Sequence, residues 1–200
     1  MDYKKDLKHL YLPTAKHFTV VDVPAMNFLM VDGHGDPNTS ADFQEACNAL
    51  YGMAYTLKFV LKPHGIAFTV PPLEGLWWTP DMADFSVTDK SAWDWTVMIM
   101  QPEPVTGEWV EKARAELARK KKPPALPHLR FEPYHEGLSA QIMYFGSYAN
   151  EGSTIARLHQ FIRDNGYALN GKHHEIYLGD PRRTAPEKLK TVIRQPIRRV

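Results

Sequence analysis

One order of elements is written twice along this chain of 200 residues: strand, glycine-rich turn, capped helix, strand, strand. In the first copy, 18–23 and 27–32 read as β-rich runs, the first ended by Pro24 and the second stopped by Gly33-His34-Gly35-Asp36-Pro37. Thr39 or Ser40 then offers an N-cap, and Asp42 suits the positive end of a helix. Phe43, Cys47, Leu50, Ala54, Leu57 and Leu61 recur at three- and four-residue steps until Pro63 and Gly65 end the pattern. Residues 73–79 and 93–101 read as strands joined by a polar loop over 80–91, and Thr106 caps a helix with a narrow buried face of Val110, Ala113 and Leu117. In the second copy, 130–136 and 138–145 are strands that bend at Gly137, and Gly146-Ser147-Tyr148 is the turn. Ser153 or Thr154 caps a helix with the stripe Ile155, Leu158, Phe161 and Ile162, ended by Asn165-Gly166; 173–178 and 187–194 are the closing strands.

This repeat predicts an α+β fold of duplicated β-α-β-β units with pseudo-twofold symmetry, antiparallel sheets with helices on one face, and a central ligand cleft. A single domain over 1–200 is expected, with halves 18–122 and 128–200. The Lys/Pro-rich stretch 120–127 reads as the linker, since its lysines complement a helix C-terminus and its prolines forbid continuation. Residues 1–17 read as polar and irregular, too short for a helix-turn-helix module.

Charge narrows the partners. Lys+Arg 24 against Asp+Glu 23 gives a net charge of +1, without the basic excess that phosphate neutralisation requires, so no nucleic-acid partner is expected. No apolar run approaches the roughly 20 residues of a bilayer span, and the first residues lack a signal-peptide core. A cytoplasmic protein without membrane contact, monomer or homodimer, is the expectation. The single Cys47 forms no intramolecular disulfide and suits a small buried hydrophobe. The adjacent His173 and His174 point to opposite faces of a strand, and no paired cysteine or His-Glu-x-x-His helix accompanies them, so no metal is expected. No cofactor is expected either: Gly33-His34-Gly35 lacks the later glycine or Lys-Ser/Thr of a nucleotide loop, and no Gly-x-Ser-x-Gly elbow occurs.

Alternation within the strands locates the candidate site. His174, Ile176 and Leu178 share one face, expected to pack on the helices; His173, Glu175 and Tyr177 share the other, expected to face a groove. Over 93–100, Trp93, Trp95, Val97 and Ile99 oppose Met98 and Met100, and 138–145 is similarly apolar on both faces. The second face therefore needs a cover, a partner or a ligand. A groove lined by Trp77, Trp95, Tyr144 and Tyr177 around Glu175 would hold a flat apolar molecule with delocalised positive charge, through ring stacking, cation–π attraction and the carboxylate's field. Glu74, Met98 and Tyr148 complete the candidate ligand-binding set. Against this reading, strand aromatics commonly fill cores and a strand glutamate commonly faces water.

The stretches VPAMNFLMVDGHGDPN, WDWTVMIMQP, MYFGSY and HHEIYLGDPRRTAPEKLKTVIRQP resemble the GyrI-like small-molecule-binding family, in its stand-alone branch, over nearly the whole chain. The resemblance implies the duplicated fold and a cleft for lipophilic, often cationic compounds, with Glu175 matching a recurrent cation partner. A subset of that branch hydrolyses DNA-alkylating natural products carrying a strained cyclopropane. For that subset the expected roles are Glu175 positioning or deprotonating water, Tyr144 or Tyr177 donating to the substrate carbonyl, and Trp77 with Trp95 clamping the planar substrate. Gly146-Ser147-Tyr148 stands where the family commonly has Gly-Pro-Tyr. The expected function is thus binding of xenobiotics with hydrolysis of cyclopropane-bearing ones. The alternatives are a non-catalytic sequestering or ligand-sensing module partnering a regulator, and an apolar second face that serves as a dimer interface.

Overall fold

In the computed structural model, which describes residues 2–81 and 89–200, the chain begins with two short helices, α1 (Tyr3–Asp6) and α2 (Lys8–Tyr11). There follow β1 (Thr19–Val23), β2 (Met26–His34), α3 (Ala41–Leu61), β3 (Leu73–Trp78), β4 (Asp94–Gln101), α4 (Gly107–Lys120) and β5 (Arg130–Tyr134). The remainder is β6 (Gly137–Phe145), α5 (Gly152–Asp164), β7 (Tyr167–Leu169), β8 (His173–Tyr177) and β9 (Lys190–Arg199). Much of the loop read over 80–91 lies outside the described residues.

The chain divides into two units, one of residues 26–134 with the first residues of the chain, the other of 4–25 and 135–200. The first holds an antiparallel sheet in the order β3-β4-β2-β5, the second an antiparallel sheet in the order β8-β9-β6-β1, with β7 on the far end of β9. Both outer strands come from an unexpected place. β1 leads directly into β2 yet pairs with β6, and β5 leads directly into β6 yet pairs with β2. The boundary therefore falls at Tyr134–His135, beyond the 120–127 stretch read as a linker. That stretch is held to its own unit: Ala125 and Leu126 are buried, and Arg114 donates to the Leu126 carbonyl at 2.8 Å and the Leu129 carbonyl at 2.9 Å.

Local chemistry explains most boundaries. Ser40 caps α3 by accepting the Phe43 N–H at 3.2 Å, and α3 buries Ala46, Ala49, Leu50, Met53, Ala54, Leu57 and Leu61. Thr106 precedes α4 without a side-chain cap bond, and α5 starts at Gly152 with Glu151 in the cap position, so Ser153 and Thr154 lie inside its first turn. Strand β2 runs through Gly33 to His34 because Gly33 is the cross-strand partner of Trp95, whose ring occupies the space that a side chain there would need. Against the second sheet, Ile155, Leu158 and Ile162 of α5 pack on Ala140, Ile142, Ile193 and Ile197.

The opposite face of that sheet is covered by the N-terminal segment, which is ordered into helices where irregular chain was expected. Leu10 and Tyr11 are fully buried; Gln141 donates to the His9 carbonyl at 2.7 Å, Arg194 to the Leu10 carbonyl at 2.6 Å, and the Met143 N–H to the Thr14 carbonyl at 3.1 Å. At the centre, Glu136 receives Arg194 Nη1 at 3.0 Å and meets His174 Nδ1 at 2.9 Å. Burial works to raise the Glu136 carboxyl, but His174 and Arg194 together hold it down at about 2. This carboxylate therefore contributes stability that is fully present above its ordinary 4.5 and is lost as pH falls towards 2. Glu136→Gln, which strands Arg194 in the interior, should cost about 3–5 kcal/mol at neutral pH. Its stability should also fall less steeply than the native protein's between pH 4.5 and 2, as followed by chemical denaturation across that range.

Candidate functional site

The two sheets are comparable position by position. β2 and β6 each run nine residues and end at a glycine in the left-handed region, Gly35 (φ 92°) and Gly146 (φ 147°). The helix cap residues, Ser40 and Glu151, stand at the same remove from those strand ends. On this alignment Gly33 corresponds to Tyr144, Trp95 to Thr191, Gly75 to Glu175 and Trp77 to Tyr177.

In the first unit the helix-side face is filled by its own rings. Trp95 lies over Gly33 and Trp77 over Gly75, where an added methyl would stand 2.7 Å from the Trp77 ring. Phe43 of α3 packs 5.8 Å from Trp77 and 5.3 Å from Trp95, and Trp93 lies 5.3 Å from Trp77. Both indole N–H groups are buried without a hydrogen-bond partner among the described residues. Glu74 and Met98 are a fully buried cross-strand pair on the opposite face. There the Tyr3 phenol is raised by burial, then by Asp2 and Glu74. The candidate ligand contacts of this unit thus fall on two different faces of one sheet.

In the second unit the same face carries polar side chains along β8, beside the apolar residues that meet α5. His173, Glu175 and Tyr177 share it, as alternation requires: His173 Nε2 lies 3.1 Å from Glu175 Oε1, and the Tyr177 hydroxyl donates to Glu175 Oε2 at 2.8 Å. This is the helix-covered side, because Glu175 pairs with Ile193, which packs with the α5 stripe. The expected assignment of faces is therefore reversed. A period of two fixes which residues point together, not which face a helix takes. Glu175 is only 5% exposed.

Neighbouring groups set the electrostatics. The Tyr177 hydroxyl is pushed well above the usual phenol range by burial first, then by the charges of Glu175 and Glu151. Tyr148 meets the Tyr177 ring edge-on at 5.4 Å. The Tyr144 hydroxyl donates to the Ser147 carbonyl at 3.1 Å and is raised by burial and by Glu151. His159, on α5, is lowered to about 4 by burial, then by His173 and Arg163, against a hydrogen bond to Gln195, so it is neutral at pH 7. Among the described residues, no group of three or more His, Cys, Asp or Glu side chains is placed to hold a metal ion. The Cys47 thiol is pushed up to about 12 by burial.

Glu175, a buried carboxylate with two fixed partners, thus stands in one cluster with a second buried carboxylate, Glu151, and the rings of Tyr148 and Tyr177. Residues 17–198 match the GyrI-like small molecule binding domain. The chain belongs to that family. Among solved structures, an uncharacterized conserved protein from Listeria innocua is 40% identical over 99% of this chain and 100% of its own, with a TM-score of 0.92. A hydrolase from the same organism is 41% identical over 99% of each chain, with a TM-score of 0.86. The EcmrR C-terminal domain, 12% identical over 92% of this chain and 98% of its own with a TM-score of 0.58, shares the fold. No curated protein matches the chain.

Within this GyrI-like chain, the second unit gathers Glu175, Tyr177, Tyr148 and Tyr144, all candidates from the sequence, and adds Glu151, His173, His159, Thr191 and Gln195. Glu151 was masked by the Ser153 and Thr154 that follow it, each a better cap by residue type. Thr191 and Gln195 carried a signal: both are polar residues in step with the apolar Ile193 and Ile197 of β9. In the first unit, Gly33→Ala should lower stability by about 1–3 kcal/mol through overpacking against Trp95, measured as a fall in Tm without loss of secondary structure.

Proposed function

We propose that this GyrI-like protein binds flat lipophilic, often cationic small molecules and hydrolyses those that carry a cyclopropane conjugated to a dienone, as DNA-alkylating natural products do. The observation that carries the reading is the buried Glu175 carboxylate, held at one oxygen by His173 and at the other by Tyr177. Kinship to a hydrolase at 41% identity over 99% of both chains supports the catalytic part. In the reaction, a water oxygen bonds to a cyclopropane carbon as the C–C bond to the ring breaks. The freed electron pair passes through the dienone to its oxygen, giving a phenolate, and Glu175 takes the proton from the water. Proton return from Glu175 to the phenolate restores the enzyme, and the net change is addition of one water.

The tyrosines act through position. Tyr177 donates to Glu175 and fixes the carboxylate's rotamer, while Tyr148 adds a ring edge-on to Tyr177. Tyr144 spends its proton on the Ser147 carbonyl, which holds the turn entering α5. Glu151 and Glu175 both bear on Tyr177, and two carboxylates around aromatic rings favour a delocalised cation. That arrangement would serve a non-catalytic binder equally, which makes sequestration the second reading.

The test uses the parent spirocyclopropyl cyclohexadienone as substrate and ethidium as planar cation. Native protein should form the ring-opened alcohol, seen by chromatography, and Glu175→Gln should lower kcat by about 10²-fold or more. Equal rates in the two proteins reject the base. Ethidium binding with no turnover of the dienone assigns the protein to sequestration.

A further inference from the structure

We propose that Thr191 is the second anchor of the attacking water, which it holds against Glu175 on the helix-covered face of the second unit's sheet; this rests on the hydrolytic reading above. Thr191 is 0% exposed, and its hydroxyl has no hydrogen-bond partner among the described residues. A buried hydroxyl left unmet loses its hydration with nothing in return, and valine would fill the same strand position with equal β preference and no such loss. The residue's neighbours do not relieve it. Thr191 stands directly between Tyr144 on β6 and Tyr177 on β8, whose hydroxyls donate elsewhere, to the Ser147 carbonyl and to Glu175 Oε2.

Its position relative to the base is set by register. Glu175 pairs with Ile193, so Thr191 is its diagonal neighbour on β9, about 7–8 Å away along the backbone; the Thr191 hydroxyl makes no bond to the carboxylate among the described residues, which leaves both groups to one bridging molecule. Buried water typically makes about three hydrogen bonds to groups of this kind. Here the Thr191 hydroxyl donates to the water, the water donates to Glu175, and one lone pair is left for attack. As the oxygen bonds to the cyclopropane carbon, the proton passes to Glu175 and the electron pair of the broken C–C bond moves to the dienone oxygen.

The first unit supplies the contrast. At the positions equivalent to Glu175 and Thr191 it has Gly75 and Trp95, and the Trp95 ring fills the space over Gly33. Where the carboxylate is missing, the hydroxyl is missing with it.

Turnover of the spirocyclopropyl cyclohexadienone by Thr191→Val, Thr191→Ser and Glu175→Gln, with a crystal structure of the native protein, tests this. Thr191→Val should lose about tenfold or more in kcat with KM within about twofold, and Thr191→Ser should recover most of the rate. The native crystal structure should show a water within hydrogen-bond distance of Thr191 Oγ1. An unchanged kcat in Thr191→Val, or a rise in KM alone, overturns the anchor while loss of rate in Glu175→Gln keeps the base. Full activity in Glu175→Gln removes the hydrolytic reading itself. If Thr191→Val does not fold, the crystal structure decides: a Thr191 hydroxyl with no water at hydrogen-bond distance overturns the proposal.

Discussion

A carboxylate taken out of water must be met by donors that its own surroundings supply, and the second unit fastens two of them on opposite sides of one sheet. The neighbouring histidines divide the work. His174 turns towards Glu136, with Arg194, on the face covered by the N-terminal helices, and His173 turns towards Glu175, with Tyr177, on the face covered by α5. Strand alternation alone separates a fastening that secures the N-terminal segment from the one at the candidate site. The same alternation keeps the adjacent pair from sharing one ion, since their side chains point to opposite faces.

Strand exchange is the second constraint. β1 and β5 each leave the strand that follows them in sequence, β1 to close the sheet that holds β6 and β5 to close the sheet that holds β2. The second sheet is not complete within one uninterrupted stretch of chain, since it needs residues 19–23 from far upstream; the first lies within 26–134 but is closed by 130–134 only after two helices. The pairing of β1 with β6 spans more than a hundred residues, a long loop to close before the contact repays it, and an unpaired β6 would present an open edge to other chains. The N-terminal segment adds to this debt, because its backbone carbonyls at His9, Leu10 and Thr14 are met only once β6 and β9 are in place.

Much of this was legible beforehand, for stated reasons. The α3 cap at Ser40, the stripes of α4 and α5, and the shared face of His173, Glu175 and Tyr177 follow from short-range periodicity and capping chemistry. What lay outside reach depends on tertiary pairing. Residues 18–23 and 130–136 look like ordinary hairpin arms, and nothing local says that each joins the other sheet. Residues 1–17 look polar because apolar members such as Leu10 and Tyr11 are spread among lysines; only the bare face of the β6–β9 pair reveals what these two cover. Trp77 and Trp95 were legible as large aromatics on one face, but the glycines that admit their rings, Gly33 and Gly75, read in isolation as a breaker and a weak strand residue.

Those glycines show why the two copies of the fold hold different chemistry. The face between sheet and helix has a fixed volume, and an indole laid on the sheet requires that the residue beneath it have no side chain. With Gly33 and Gly75 in place, Trp95, Trp77 and Phe43 close the first unit's face as a packed core. At the matching positions of the second unit stand Tyr144 and Glu175, and no indole can lie over either, so the same volume is left to small and polar groups: Thr191 in place of Trp95, Tyr177 in place of Trp77. A duplicated sheet can spend this face on packing or on a buried acid. Here one copy does each, and the packed copy relieves the other of having to be hydrophobic throughout.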